Sequence, residues 1–419
     1  MTYDTVVIGA GLAGLSSAVR LSRGGRRVLV VAAGVGAIQL GGATVDVLGY
    51  APESVSRPVD ALDRFVASHP EHPYARLTTA GIRAGLEWFQ RAAEPLGYTG
   101  SLDENLLLPT AVGTPKPSAL VPRSMAGGDL RAGGSFTIVG LPALKDFYPS
   151  YLAANLARAG GAIEANLSAR ALESGVPVHD ADVTPLGFAR LFDDAEFRKA
   201  VIADLQGRLE PGEAVGFPAV LGLEDPETVW RELGDGLSSR VFEIPTLPPS
   251  VPGIRLFRTL KGALRKAGGR LLLGTTVTGA DVDGHRARAV AAHGAARPMT
   301  LAADDFVLAS GGFASGGLEM DPSWTVREPI FGLPVSGVPA PGGQRFDPDL
   351  LAHHPIARAG IAVDERLRPV DGAGDVILEN VFVAGAMLAG AEPWREKSGD
   401  GISLSTGYEV AETILERGR

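Results

Sequence analysis

The chain opens with "DTVVIGAGLAGLSSAVRLSRGGRRVLVVAAG" from Asp4, and few folds accommodate such a run. Residues 5–8 are apolar and rich in β-branched side chains, the pattern of a buried parallel strand. Gly9, Gly11 and Gly14 follow in GxGxxG spacing. The first permits a tight turn, the second lets a phosphate approach the backbone, and the third lets the next helix pack close to the strand. Residues 12–23 carry Leu15, Ala18, Val19 and Leu21 at helical spacing, Gly24 and Gly25 stop that helix, and residues 28–31 read as a second strand. The free N–H groups and positive dipole end at Gly11, Leu12, Ala13 and Gly14 can hold a phosphate. The unit points to an α/β fold that binds a dinucleotide or a flavin. One position departs from the pattern: the acidic residue that holds an adenosine ribose is expected at the end of the second strand, and Ala32 and Ala33 stand there instead.

The rest of the chain is large enough for more than this unit. Its 419 residues are 45% hydrophobic, which suffices for a core in two domains. The net charge of −9 has both signs spread along the chain, and no basic block suggests nucleic acid. The absence of cysteine excludes disulfides, a cysteine nucleophile, a cysteinyl flavin link and thiolate-ligated iron–sulfur clusters from this chain. The N-terminus runs directly into a strand rather than a signal peptide, and no apolar run approaches the ~18 residues of a spanning helix. The expectation is a cytoplasmic protein, or one associated with a membrane through a partner protein.

Further glycine turns follow the first. Residues 37–50, "AIQLGGATVDVLGY", bring Gly41 and Gly42 to the place that in two-domain flavoproteins runs along the isoalloxazine side. A helix is expected near 79–96, a proline-rich piece follows in "LLLPTAVGTPKPSALVP", and from Ser135 the pattern is strand, helix, strand through "SFTIVG", "DFYPSYLAANLARAGG" and "AIEANLSA". After residue 250 comes an amphipathic helix with Leu256, Leu260 and Leu264, a strand at 271–273 and a hairpin at Asp283-Gly284. "DDFVLASGGFASGG" is a strand ending in a small-residue turn at Gly311, and "ENVFVAGAMLAG" is a strand ending at Gly385. "SGDGISLSTGYEVAETILE" then gives a glycine turn and a helix, with Gly401 and Ile402 placed to face a cofactor. Three such elements in order describe an α/β, two-domain flavoprotein: a Rossmann-like dinucleotide-binding domain, discontinuous in sequence (1–50, 250–320 and 355–419), and an inserted α/β substrate or cap domain (51–249 and 321–354).

The stretches "GGATVDVLGY", "HPEHPYARL", "IPTLPPSVPGIRL", "VLASGGFASGGL", "REPIFGL" and "VDERLRP" add a resemblance that spans the whole chain. With them, the sequence resembles the B-subunit family of anaerobic glycerol-3-phosphate dehydrogenases, relatives of the fumarate reductase and succinate dehydrogenase flavoproteins. The resemblance implies oxidation of sn-glycerol 3-phosphate to dihydroxyacetone phosphate, with electrons passed indirectly to quinone. It also implies FMN in this chain and two partners, an FAD-containing subunit (the A-subunit) with an iron–sulfur subunit (the C-subunit) that is associated with the membrane. FMN has no adenosine, which accords with Ala32. A GxGxxG turn is built for a pyrophosphate, so FAD with its ribose held by other groups remains the alternative. The chain departs from the family pattern at "EKSGDGISLSTGY", where a glycine run is expected, and at "GGATVDVL", where Ser-Gly and Leu-Asp are expected. Two other functions stay open: a stand-alone flavin-dependent oxidoreductase of the fumarate reductase type, and a non-catalytic flavin-fold assembly protein.

Alcohol oxidation needs a hydride acceptor, a base for the hydroxyl proton and cations for a phosphate. His353 and His354 are the candidate bases, since histidine titrates near neutrality and the related fumarate reductases place an active-site histidine in a comparable stretch. The alternative is a solvated His-His-Pro loop. Arg255, Arg327 and Arg358 are candidate cations, although Arg327 is expected to pair with its neighbour Glu328. Asp46 is expected to cap a turn. His69 and His72 flank prolines and read as loop residues, and no cluster has metal-ligand spacing.

Overall fold

The computed structural model describes residues 3–294 and 297–417. The opening run folds as its pattern requires. Tyr3–Ile8 and Val28–Ala32 are parallel neighbours joined by the helix Leu12–Arg23. The strands are apolar along their length because both faces are covered, as in α/β sheets.

By its internal packing the chain divides into two units, the first comprising Met1–Ala37, Asp46–Ala92 and Leu260–Arg419, the second Ile38–Val45 and Ala93–Thr259. In the first, a seven-stranded sheet has Arg270–Leu273, Val28–Ala32, Tyr3–Ile8 and Pro298–Leu308 side by side and parallel. Val381–Val383 also pairs parallel with the end of Pro298–Leu308, and the hairpin Thr276–Asp283/Arg286–His293 pairs antiparallel with its beginning. Register matters more here than strand count. Ile8 sits opposite both Val31 and Leu308, and Leu308 opposite Val383. The segments that follow these strands therefore leave from one edge of the sheet, the carboxyl edge where α/β folds bind ligands.

Residues 51–92 and 321–354, assigned by the sequence pattern to the inserted part, lie in the first unit. For residues 51–92 the reason is packing on the C-terminal helix Gly399–Arg417. Gly85 of the helix Thr79–Ala92 faces the Tyr408 side chain, and the Trp88 and Tyr408 rings lie 5.6 Å apart.

The second unit has its own parallel sheet, in the order Arg240–Ile244, Ala214–Pro218, Gly134–Gly140, Leu167–Glu173. Helices Pro149–Ala159, Pro185–Asp193, Ala195–Leu205 and Pro226–Leu237 accompany it, and Phe136, Phe188, Phe192, Phe217 and Phe242 are buried in its core. The strand expected in "AIEANLSA" begins only at Leu167. Gly160 and Ala165 close a turn ahead of it through a 2.9 Å backbone bond.

Candidate functional site

The sheet register brings three of the expected glycine turns together. Gly9 has φ +112°, and a Cβ there would overlap the Ala309 carbonyl. A Cβ on Gly14 would overlap the Gly9 carbonyl. These two glycines let strand, turn and helix lie in contact. Gly385, with φ +75°, places its Cα where a Cβ would be 2.8 Å from the Ala13 Cβ, and its N–H donates to Thr406 Oγ1 at 2.9 Å. Gly9, Ala13 and Gly385 thus meet at one edge, and Gly311 lies in the turn after Leu308 beside Ser315.

Gly11 differs from its neighbours. A Cβ there would meet nothing within 4 Å. It is the N-cap of the helix Leu12–Arg23, no side chain caps that helix, and its first turn has no acidic residue. Leu12 and Ala13 behind it are buried. An open backbone cradle at a positive helix end fits a phosphate. Beside the cradle, Ser310 Oγ is buried without a hydrogen-bond partner, a polar group for a ligand to satisfy. The residues present fit a phosphate-bearing flavin. At the end of the second strand, Ala32 is buried, pairs with Leu273 and accepts a 3.1 Å hydrogen bond from the Thr275 N–H; it presents no acid.

Other expected cofactor residues have internal explanations. Gly401 donates its N–H to the Asp46 carbonyl at 2.9 Å, and a Cβ there would overlap the Tyr74 hydroxyl. Ile402 is buried beside it, its N–H bonded to the Ser398 carbonyl at 2.8 Å. In the second unit, Gly42 faces the Pro245 ring, whereas Gly41 has open space at its Cβ position.

A cavity of about 800 Å³ lies in the first unit, walled by residues 50–57, the helix Pro58–Ser68 and the 392–396 turn. His353 and Arg358 line it. His353 donates from Nδ1 to Oε2 of Glu392 at 2.6 Å, which leaves Nε2 as the nitrogen able to take a proton. Arg358 brings its Nε to 3.6 Å from the same oxygen and its Nη1 to 3.4 Å from Glu71 Oε1. That Nε is buried without a hydrogen-bond partner. Glu392, also bonded by the His354 N–H at 3.3 Å, is the hub of the cluster. A second buried pair supports it. His72 bonds from Nε2 to Glu396 Oε2 at 3.1 Å, its Nδ1 accepting from the Tyr74 N–H, while Glu396 Oε1 accepts from the Glu392 N–H at 2.8 Å. Burial pushes the Glu396 carboxyl up, but the His72 hydrogen bond and charge, with those from the Glu392 N–H and Ser398, hold it below the usual range. Burial, then the charge of Asp46, pushes up the phenol of Tyr50 at the cavity wall.

The two candidate histidines part company. His354 accepts at Nδ1 from the Asp347 N–H (3.0 Å) and donates from Nε2 to the Leu350 carbonyl (3.1 Å), so both ring nitrogens serve their own loop. Arg255 is buried in the second unit, bidentate to Glu243 at 2.7 and 3.1 Å and donating to the Gly222 carbonyl. Its guanidinium is engaged in holding that unit together. Arg327 pairs with Glu319 rather than Glu328. The two are directly opposite in a short antiparallel ladder, whereas adjacent residues of a strand point to opposite faces. Glu328 is buried and accepts from the N–H groups of Ile330, Phe331 and Leu333. His69 ends the helix Pro58–Ser68, as a loop residue would, while His72 is wholly buried. Sequence reasoning missed Glu392, Glu396 and the buried state of His72; the only local signal is two glutamates four residues apart around a proline.

A family model described as "FAD binding domain" matches residues 4–402. The B-subunit of the anaerobic glycerol-3-phosphate dehydrogenase of Pectobacterium atrosepticum is 34% identical over 435 residues, covering 100% of both chains. The chain belongs to this family of flavoprotein subunits. A probable member from Halobacterium salinarum is 33% identical over 99% of this chain and 98% of its own. Among solved structures, the open conformation of a flavocytochrome c3 fumarate reductase matches 99% of this chain and 78% of its own, at 11% identity and a TM-score of 0.48. As a family member the chain is an oxidoreductase flavoprotein, and no described helix is long and apolar enough to cross a membrane.

Proposed function

We propose that the chain is the flavoprotein B-subunit of a quinone-linked glycerol-3-phosphate dehydrogenase, working with an FAD-containing partner and an iron–sulfur partner. The observation that carries this reading is the end-to-end similarity to relatives bearing that name, joined to an open phosphate cradle at Gly11. The flavin, when bound, supplies the acceptor for the hydride leaving C2 of the substrate. Gly11, Leu12 and Ala13 hold its phosphate with backbone N–H groups. His353 takes the hydroxyl proton at Nε2, and Glu392 orients the ring and offsets the charge it gains. Arg358 offers its unpaired Nε–H to the substrate phosphate. Ala32 supports FMN in this chain; the description of the matching family model favours FAD.

A relay role is the second reading, and one observation favours it. The chain has no cysteine, so any iron–sulfur cluster that carries electrons onward belongs to a partner. The purified chain, given glycerol 3-phosphate and an artificial electron acceptor, is expected to turn over far more slowly than the assembly with its two partners. Equal turnover moves catalysis to this chain. Absence of flavin from chain and assembly alike refutes the functional reading.

A further inference from the structure

The first unit exposes an apolar surface that its own fold does not use. Leu350 is 80% exposed, Leu351 74%, Phe346 51%, Trp324 44% and Trp394 36%. They are not scattered. The ring centroids of Trp324 and Phe346 lie 6.2 Å apart, those of Phe346 and His354 6.0 Å, and those of His354 and Trp394 5.6 Å. Large apolar groups this exposed and this continuous mark interaction sites. His354 fixes the surface from behind. Its two ring nitrogens hold the Asp347 N–H and the Leu350 carbonyl, so the side chains on either side of it are ordered before any partner arrives, which lowers the entropy lost on binding.

The charges indicate what the surface meets. Arg345 stacks over Trp324 at 5.1 Å and Arg395 over Trp394 at 5.9 Å. Among the described residues neither forms an ion pair, and the buried Arg345 Nε has no hydrogen-bond partner. The nearby carboxylates are turned to local use: Asp347 accepts from the Asp349 N–H, and Asp349 from the Leu351 N–H. The unmatched charge at the patch is therefore positive, although the chain as a whole carries −9.

We infer that Trp324, Phe346, Leu350, Leu351 and Trp394 form a docking surface for another protein of the same enzyme assembly, one presenting carboxylates around an apolar pocket. Tryptophan, other aromatics and arginine around a desolvated centre are the composition of interface hot spots. A bilayer of anionic lipid would meet the same arginines, but it repels a chain of net charge −9 over the range of a Debye length. The inference rests on the proposed membership of a multisubunit enzyme.

The test uses the full chain co-expressed with the FAD-containing and iron–sulfur partners of its own organism. Assembly is followed by size-exclusion chromatography with light scattering, and the flavin spectrum reports that each variant is folded. The wild type is expected to co-elute with its partners. Leu350→Asp combined with Leu351→Asp, with flavin retained, is expected to weaken assembly about 100-fold or more, and Arg345→Glu alone to weaken it about tenfold. Should both variants assemble as the wild type does, the surface assignment is overturned while the proposed function stands. Should the flavin-loaded wild type not assemble at all, both fall. Flotation of the wild-type chain on phosphatidylglycerol vesicles, abolished by the double leucine variant, would identify a lipid surface instead and overturn the protein partner.

Discussion

At the glycine cradle, Gly9, Gly14 and Gly385 are placed by backbone contacts in which a single Cβ would overlap a carbonyl or crowd a neighbouring side chain. No titratable group takes part in those contacts. At the cavity, His353, Arg358, Glu392 and Glu396 are held by side-chain hydrogen bonds and charge, with His72 buried behind them. Both regions belong to the first unit, yet they fail in different ways. A steric cradle tolerates pH and is broken by one methyl group. An ionic cluster tolerates changes of shape and is broken by the loss of one charge.

The largest expected effects test the cradle. Gly14→Ala forces a Cβ into the Gly9 carbonyl. Such overpacking against backbone costs about 1–3 kcal/mol or more, so the variant is expected to lose thermal stability and flavin together. Gly11→Asp has room for its Cβ but sets a carboxylate against a bound phosphate. It is expected to keep its thermal midpoint and lose at least about 100-fold in flavin affinity, measured by flavin content after gel filtration. A yellow, folded Gly11→Asp protein refutes the phosphate cradle.

The next effect tests the cluster. Glu392→Gln can no longer offset charge on His353 and leaves the ring free to adopt the other tautomer. If His353 is the base, kcat for glycerol 3-phosphate in the assembled enzyme falls about 100-fold with little change in KM, and flavin content is unchanged. His354→Asn is expected to spare kcat, because that ring bonds only to its own loop. Equal losses in the two variants would erase the distinction between the histidines.

A smaller effect separates the two regions by pH. The folded carboxyl of Glu396 titrates below the ordinary value of 4.5. Its contribution to stability is therefore full above pH 4.5 and is lost as the pH falls through the lower, folded value. Glu396→Gln removes that dependence. It is expected to unfold about 1–2 kcal/mol more readily at pH 7 and to show a shallower acid-side decline in urea midpoint than the wild type. An unchanged decline would mean that other carboxylates set the acid limit; Glu213, held down to about 2 by the Arg170 hydrogen bond, is the first to examine.

The same contrast explains what was legible in the sequence. Gly9, Gly11 and Gly14 were readable because their constraint is local: strand, turn and helix are contiguous, and the spacing states the geometry. Gly311 and Gly385 were readable as strand ends, but that they share an edge with Gly9 depends on the pairing of Ile8 with Leu308 and of Leu308 with Val383. The cluster was not readable, because His72, His353, Glu392 and Glu396 come from distant segments and no spacing relates them. His72 looked like a loop residue for the same reason: its flanking prolines were visible and its carboxylate partner 324 positions away was not. Arg255 and Arg327 looked available as anion ligands because sequence alone does not show that Glu243 and Glu319 lie against them.

The smallest expected effect bears on the missing acid at the second strand. In an FAD site of this design, a carboxylate at position 32 holds the adenosine ribose. Ala32 keeps the strand in place through its pairing with Leu273 and its hydrogen bond from Thr275; both are backbone interactions that a glutamate side chain does not disturb. In an FMN site Ala32→Glu gains no ribose to bind, so flavin content and affinity should stay within about twofold of the wild type. In an FAD site the new carboxylate adds a charge-assisted hydrogen bond and should raise FAD affinity about tenfold. Mass spectrometry of the flavin released by denaturation identifies the cofactor independently. FMN with an indifferent Ala32→Glu variant means the chain lacks the acid because it has no ribose to hold. FAD with a tenfold gain means the ribose is held by other groups and position 32 lies beside it.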